Sequence, residues 1–178
     1  MEYLWYDKVI SSDDLQQGDL ITDCPIVIPP SKINEGDEPE IEIRLIDSVI
    51  LSQSCDLVND KIQIVLVCPF FTLSKWLENL PPSEHSPKAS KRHVDNLRKG
   101  FLPGYHLLNK SPENNIQDYI VVDFRNVYGI QIDSLKGIAA SRVERLRVLP
   151  PYREHLSQAF ARYFMRVGLP QDIVVEGI

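Results

Sequence analysis

A polar knot, Ser52-Gln53-Ser54-Cys55-Asp56, stands between two apolar runs, Val49-Ile50-Leu51 and residues 62–71. Cys55 would be a nucleophile if a base took its proton. Gln53, Asp56 and Asn59 can hydrogen-bond a ligand, and the same side chains can equally bond the backbone of their own turn. The sequence leaves those two roles open. His85, His93, His106 and His155 are all far from Cys55 in sequence, and none sits in a protease or hydrolase motif. Cys24, Cys55 and Cys68 each fall near a predicted strand end and, with a histidine, would make a zinc donor set. No Cys-x-x-Cys or His-Glu-x-x-His spacing supports one, so no metal and no cofactor are expected.

A second candidate is cationic. Lys88, Lys91, Arg92, Arg98 and Lys99 crowd residues 88–99 against one acid, Asp95. Such a patch binds phosphate or a partner's acidic segment; otherwise it is a solvated face. The eight glycines are scattered and form no G-x-G-x-x-G phosphate loop.

These residues belong to a chain of 178, long enough for one domain with a substantial core. Hydrophobic residues make up 43% and charged residues 25%, which argues against disorder throughout. The net charge of −6 conceals an asymmetry. Residues 1–60 carry 14 Asp/Glu against 3 Lys/Arg, whereas residues 61–178 carry 16 Lys/Arg against 11 Asp/Glu. The basic part can form a local footprint for nucleic acid, or the two parts can neutralise each other across the fold. The start, MEYLWYD, lacks the basic stretch of a secretory leader, and no apolar run reaches the ~18 residues of a membrane span. An odd number of cysteines, three, then predicts reduced thiols and a cytoplasmic location.

The elements that must position these groups read as follows. Residues 20–28 form a strand after a capped turn ending at Gly18. Residues 31–39 are an acidic loop. Glu40-Ile41-Glu42-Ile43-Arg44-Leu45 alternates as a half-buried strand does. Residues 49–51 and 62–71 predict buried antiparallel strands joined by the polar knot. Thr72 can cap a short helix over 72–80. Residues 83–100 read as a polar, basic insertion lying outside the strands. Further strands are predicted at 101–108, 119–124 and 145–149, with a short helix at 133–140. Leu156, Ala159, Phe160, Tyr163, Phe164 and Val167 form one apolar stripe of a helix over 150–168, stopped by Gly168 and Pro170.

This order of elements resembles the PemK/MazF family, ribosome-independent messenger-RNA ribonucleases of bacterial toxin–antitoxin pairs. That family begins with a Gly-Asp-Ile-like strand, continues with a strand close to Arg-Pro-x-Val-Val-Leu-Ser, and has a third strand ending in a Pro-Ile-Thr-like segment. Gly18-Asp19-Leu20-Ile21, Val49-Ile50-Leu51-Ser52, Cys68-Pro69-Phe70-Phe71-Thr72 and residues 119–169 occupy the corresponding places. The resemblance implies an α+β domain: a small, strongly curved, SH3-like antiparallel β-barrel with the C-terminal helix packed on it. It also implies catalytic roles for Arg44, Ser52 and Thr72, but the motif is degenerate. Ile46 and Asp47 stand where the family has its arginine and proline, Arg44 lies two residues earlier, and two phenylalanines separate Thr72 from Pro69.

The function so implied is a module binding a protein or nucleic-acid partner, with ribonuclease activity weakened or lost. The alternatives are an active, metal-independent endoribonuclease cutting single-stranded RNA, and a small-molecule-binding regulatory domain. Binding would involve Gln53, Cys55 and Asp56 together with Lys88, Lys91, Arg92, Arg98 and Lys99. The family pairs through its barrels, which implies a homodimer. Tyr3, Leu4, Trp5 and Tyr6 near the start would either cover the domain's own barrel edge or join two copies.

Overall fold

Strand β4 (Ile64–Thr72) organises the molecule, because Val65, Val67 and Cys68 are fully buried and β-branched or small side chains suit a crowded pleat. The computed structural model describes residues 3–36, 38 and 40–165. Around β4 stand β1 (Tyr6–Ile10), β2 (Asp19–Ile28), β3 (Glu42–Ile50), β5 (Tyr105–Leu108), β6 (Ile120–Asp123), β7 (Tyr128–Gln131) and β8 (Glu144–Val148). The helices are α1 (Ser54–Val58), α2 (Leu73–Glu78), α3 (Pro87–Arg98), α4 (Ile132–Ala140) and α5 (Tyr152–Phe164). The fold is α+β with antiparallel pairing throughout, as the sequence predicts. The path runs β1-β8-β2-β3-β4-β6-β5, with β7 also on β4. The first half of β4 pairs with β7, and its last three residues pair with β6.

The predicted barrel is not closed. Among the described residues no ladder joins β1 to β5, the two ends of the path. Side chains fill the place of that ladder: Tyr6, Leu108, Val148 and Leu156 share one buried cluster beneath α5. A second cluster lies on the opposite side, where Cys24 and Ile26 of β2 meet Val65 and Val67 of β4 and Leu135 of α4. Strand β2 reaches across because it is bulged. Its register shifts between Ile21 and Cys24, Asp23 adopts φ +45°, and the Asp23 N–H donates to Asp47 Oδ1 at 3.0 Å.

Residues 83–100, read as a basic insertion, contain α3, capped by Ser86 and carrying Pro87 in its first turn. Its Leu97 is buried with Trp76 and Val121 in a third cluster, so one face of α3 is core. Alternation over 40–45 does not bury the apolar positions: Ile41, Ile43 and Leu45 are 62–65% exposed. The arm formed by β2 and outer β3 buries the opposite face, through Cys24, Ile26 and Ile46, and the alternating row is left outward.

The C-terminal helix α5 lies on the sheet with Leu156 fully buried and Ala159, Phe160 and Tyr163 against the same cluster. Phe164 is largely exposed. Val167, Gly168 and Pro170, predicted to end the helix, lie outside the described residues. Gly18, at φ +88°, turns the chain into β2 so closely that a Cβ there would sit 3.1 Å from the Val148 carbonyl. Among the described residues no helix is long and apolar enough to cross a membrane.

Candidate nucleic-acid interface

The polar knot folds into a short helix. Gln53 is the residue before α1, Ser52 Oγ accepts from the Leu66 N–H at 2.9 Å, and Ser54 Oγ accepts from the Gln17 N–H at 3.1 Å. Asn59 Nδ2 donates to the Cys55 carbonyl at 2.6 Å, so this side chain serves its own turn. Ser52, Gln53 and Asp56 line one groove of about 530 Å³ with Gln17, Ser157 and Phe160. Cys55 is exposed, with its Sγ 3.7 Å from Gln53 Oε1 and from Asp56 Oδ1.

The other two thiols are buried on opposite sides of the sheet, Cys24 with the α4 cluster and Cys68 with the α5 cluster. Burial pushes both upward in pKa, Cys68 to about 12. The three thiols therefore do not converge, and among the described residues no group of His, Cys, Asp and Glu is placed to hold a metal ion.

Arg44, Ser52 and Thr72 are not assembled into one site. Arg44 is exposed and bonds Glu42 Oε1 at 2.5 Å. Ser52 is bonded to Leu66, whereas Thr72 accepts from the Lys75 N–H as the cap of α2. Leu66 and Thr72 are six residues apart on one strand, about 20 Å at ~3.3 Å per residue. The bulge that would carry Arg44 toward a family-like position is absent from β3; it lies in β2, opposite.

The cationic residues divide along α3. Arg92 is paired with Glu84, whose Oε2 also bonds His93 Nε2 at 3.0 Å; that histidine, first among the causes, holds the Glu84 carboxyl below its usual range. Lys88, Lys91 and Arg92 occupy the first two turns. Arg98 in the last turn and Lys99 just beyond it border a cavity of about 310 Å³ with Gly100, β5 and α5. Helix α5 presents His155, Gln158 and Arg162 to the same cavity, at i, i+3 and i+7 on one face. Tyr105 and His106 of β5 line its floor.

Three cations and two histidines thus converge, and among the described residues no carboxylate lines the cavity. Asp95 meets Arg98 at 3.5 Å, an exposed pair that neutralises little in water. His106 stacks near Phe124, and burial pushes its pKa down to about 4, with the neighbouring His155 adding to the shift. It is neutral at pH 7 in the absence of an anion. The arrangement suits a ligand with negative charge: bound phosphate would meet Arg98, Lys99 and Arg162 and would favour protonation of His106.

Arg98 and Lys99 were candidates from the sequence. His155, Gln158 and Arg162 were not, because they lie beside the apolar stripe that dominates the pattern of α5. Their own spacing, seven residues along one side of that stripe, was the available signal. Compared with protein-family models and with curated proteins, the chain matches none.

Proposed function

We propose that this chain is a cytoplasmic PemK/MazF-like module that binds single-stranded RNA, with ribonuclease activity weakened or lost. The observation that carries the reading is the cavity between α3 and α5, lined by Arg98, Lys99, Arg162, His106 and His155 with no acid among the described residues. The antiparallel sheet with α5 packed on it supports the resemblance to that family. Loss of cleavage is supported by the dispersal of Arg44, Ser52 and Thr72. RNA hydrolysis without a metal needs a base for the 2′-hydroxyl, an acid for the leaving oxygen and a cation for the phosphorane, all within one site.

The test uses a fluorescent, unstructured RNA oligonucleotide titrated at several salt concentrations. Affinity should fall with salt, and Arg98→Ala and Arg162→Ala should each weaken binding and lower the salt slope by roughly 0.7, one phosphate contact on a single strand. The RNA should remain intact in EDTA. No binding at low salt would overturn the reading, and cleavage abolished by Arg44→Ala would replace it with the active enzyme. Binding of an acidic peptide in preference to RNA would move the partner to protein.

A second reading rests on the groove beside α1, where a polar rim of Gln17, Gln53, Asp56 and Ser157 faces Phe160 and Ile62. A small-molecule regulator there would raise the melting temperature in a screen of metabolites, and Gln53→Ala would remove the rise.

A further inference from the structure

The outer half of β3, residues 42–47, is paired on one side only. Strand β2 covers one edge, while the ladder to β4 begins at Ser48. Among the described residues no other backbone bond reaches this edge. Two prolines fix which groups point into it. Pro25 lies opposite Leu45, and Pro69 lies opposite Ser48. A proline has no N–H, so each of these is a non-hydrogen-bonded pair of an antiparallel ladder. Leu45 therefore turns its N–H and carbonyl away from β2, and by alternation so does Ile43. Their unpaired groups form a template for another strand.

The side chains along this edge are self-complementary in one register. We infer that two copies of this chain pair edge to edge through β3, antiparallel about a two-fold axis at Ile43. Ile43 then faces Ile43 of the second copy, and Ile41 faces Leu45. Glu42 stands opposite Arg44, and the symmetry makes this contact twice. Centring the axis on Glu42 or Arg44 sets like charges face to face. Centring it on Leu45 sets Arg44 against Ile46 and Asp47 against Ile43.

The occupant is thus a second copy, specified by charge. The Glu42–Arg44 ion pair that the single chain makes is exposed, with side chains 55–59% accessible, and is readily exchanged for the cross-strand pair. Pairing also joins the outward rows Ile41, Ile43 and Leu45 of the two copies, where they flank each other instead of water. This gives an interface to the homodimer that the family resemblance implies, and RNA binding can fail or succeed independently of it.

Sedimentation velocity on the full chain at concentrations up to ~50 μM tests the inference. Wild type should dimerise. Glu42→Arg and Arg44→Glu each place like charges opposite one another twice and should weaken the dimer by about tenfold or more. An equimolar mixture of these two variants should recover a heterodimer, and the double variant E42R/R44E should recover the homodimer. Ile43→Pro removes only an outward N–H, so it should abolish pairing with an unchanged circular dichroism spectrum. A wild type that stays monomeric would overturn the inference. So would single variants that dimerise normally, or a mixture that fails to recover. Oligonucleotide titration of the Ile43→Pro monomer reports separately on the RNA cavity.

Discussion

The phenol of Tyr6 donates a 2.6 Å hydrogen bond to the carbonyl of Asn109, joining the start of β1 to the residue after β5. These are the two ends of the strand path, so one side chain makes the tie that a ladder would make in a closed barrel. Tyr6 is 3% exposed, and burial raises the pKa of its hydroxyl well above the usual tyrosine range. Tyr6→Phe keeps the ring and leaves the Asn109 carbonyl without this donor. We expect a loss of about 1–2 kcal/mol in urea denaturation, with no change in the far-ultraviolet spectrum.

Asp19 should be far more sensitive. Its carboxylate is fully buried between Arg145, at 2.8 Å, and Arg147, and the two guanidinium groups also donate to the carbonyls of Ile10, Asp13 and Asp14. The network pins the turn before β2 onto β8. Asp19→Asn leaves two buried cations without a counter-charge, at a cost of roughly 3–5 kcal/mol. Lys8 and Glu144 make an ion pair on the same β1–β8 ladder with about half of each side chain exposed. Removing that pair should cost under ~1 kcal/mol. Equal losses at the two places would refute the distinction.

The buried imidazole gives a pH dependence of definite sign. His106 has a folded pKa of about 4 against 6.5 for the unfolded chain. The unfolded state therefore takes the proton first as pH falls. The contribution to stability is complete above pH 6.5 and is lost between there and pH 4, about 3 kcal/mol at most. His106→Gln should flatten the stability profile over that window. Millimolar phosphate should oppose the acid loss in wild type, because an anion in the cavity favours the charged imidazole; no effect of phosphate would argue against anion binding there.

Much of the fold was legible because local pattern and tertiary demand agreed. Ile, Val and Leu over 64–72 and the stripe from Leu156 to Tyr163 each allow one comfortable arrangement. The pattern misled at Ile41, Ile43 and Leu45, since alternation tells which residues share a face and not which face is covered. The helix α3 was hidden by its polarity: only Ala89 and Leu97 are buried on it, too few to stand out among charges. The cavity lay beyond reach for a different reason. Arg98 and Arg162 are separated in sequence by four of the eight strands, and only the packing of α5 across β5 brings them to one rim.

The thiols provide a chemical check on the layers. Cys55 is exposed, whereas Cys24 and Cys68 are fully buried and hard to ionise. A thiol reagent at pH 8 should modify one cysteine of the folded chain rapidly and all three after denaturation. Cys55→Ser should abolish the fast reaction without altering stability. Two fast thiols would contradict the burial of one of the cores.

Trp5 separates a fold contact from an interface. Its ring lies 3.5 Å from that of Tyr152 at an interplanar angle of 7°, and its carbonyl accepts from the Leu149 N–H at 2.9 Å. The aromatic run at the start therefore packs, at Trp5 and Tyr6, on the chain's own α5 and β5 end, while Tyr3 and Leu4 remain exposed. Trp5→Asp replaces a stacked ring with a charge against Tyr152 and should destabilise the domain by about 2–3 kcal/mol. The dimer through β3 should persist in the fraction that stays folded, since Trp5 is no part of that edge. A folded, fully stable monomer from Trp5→Asp would place the interface at this end of the molecule and remove it from Ile43.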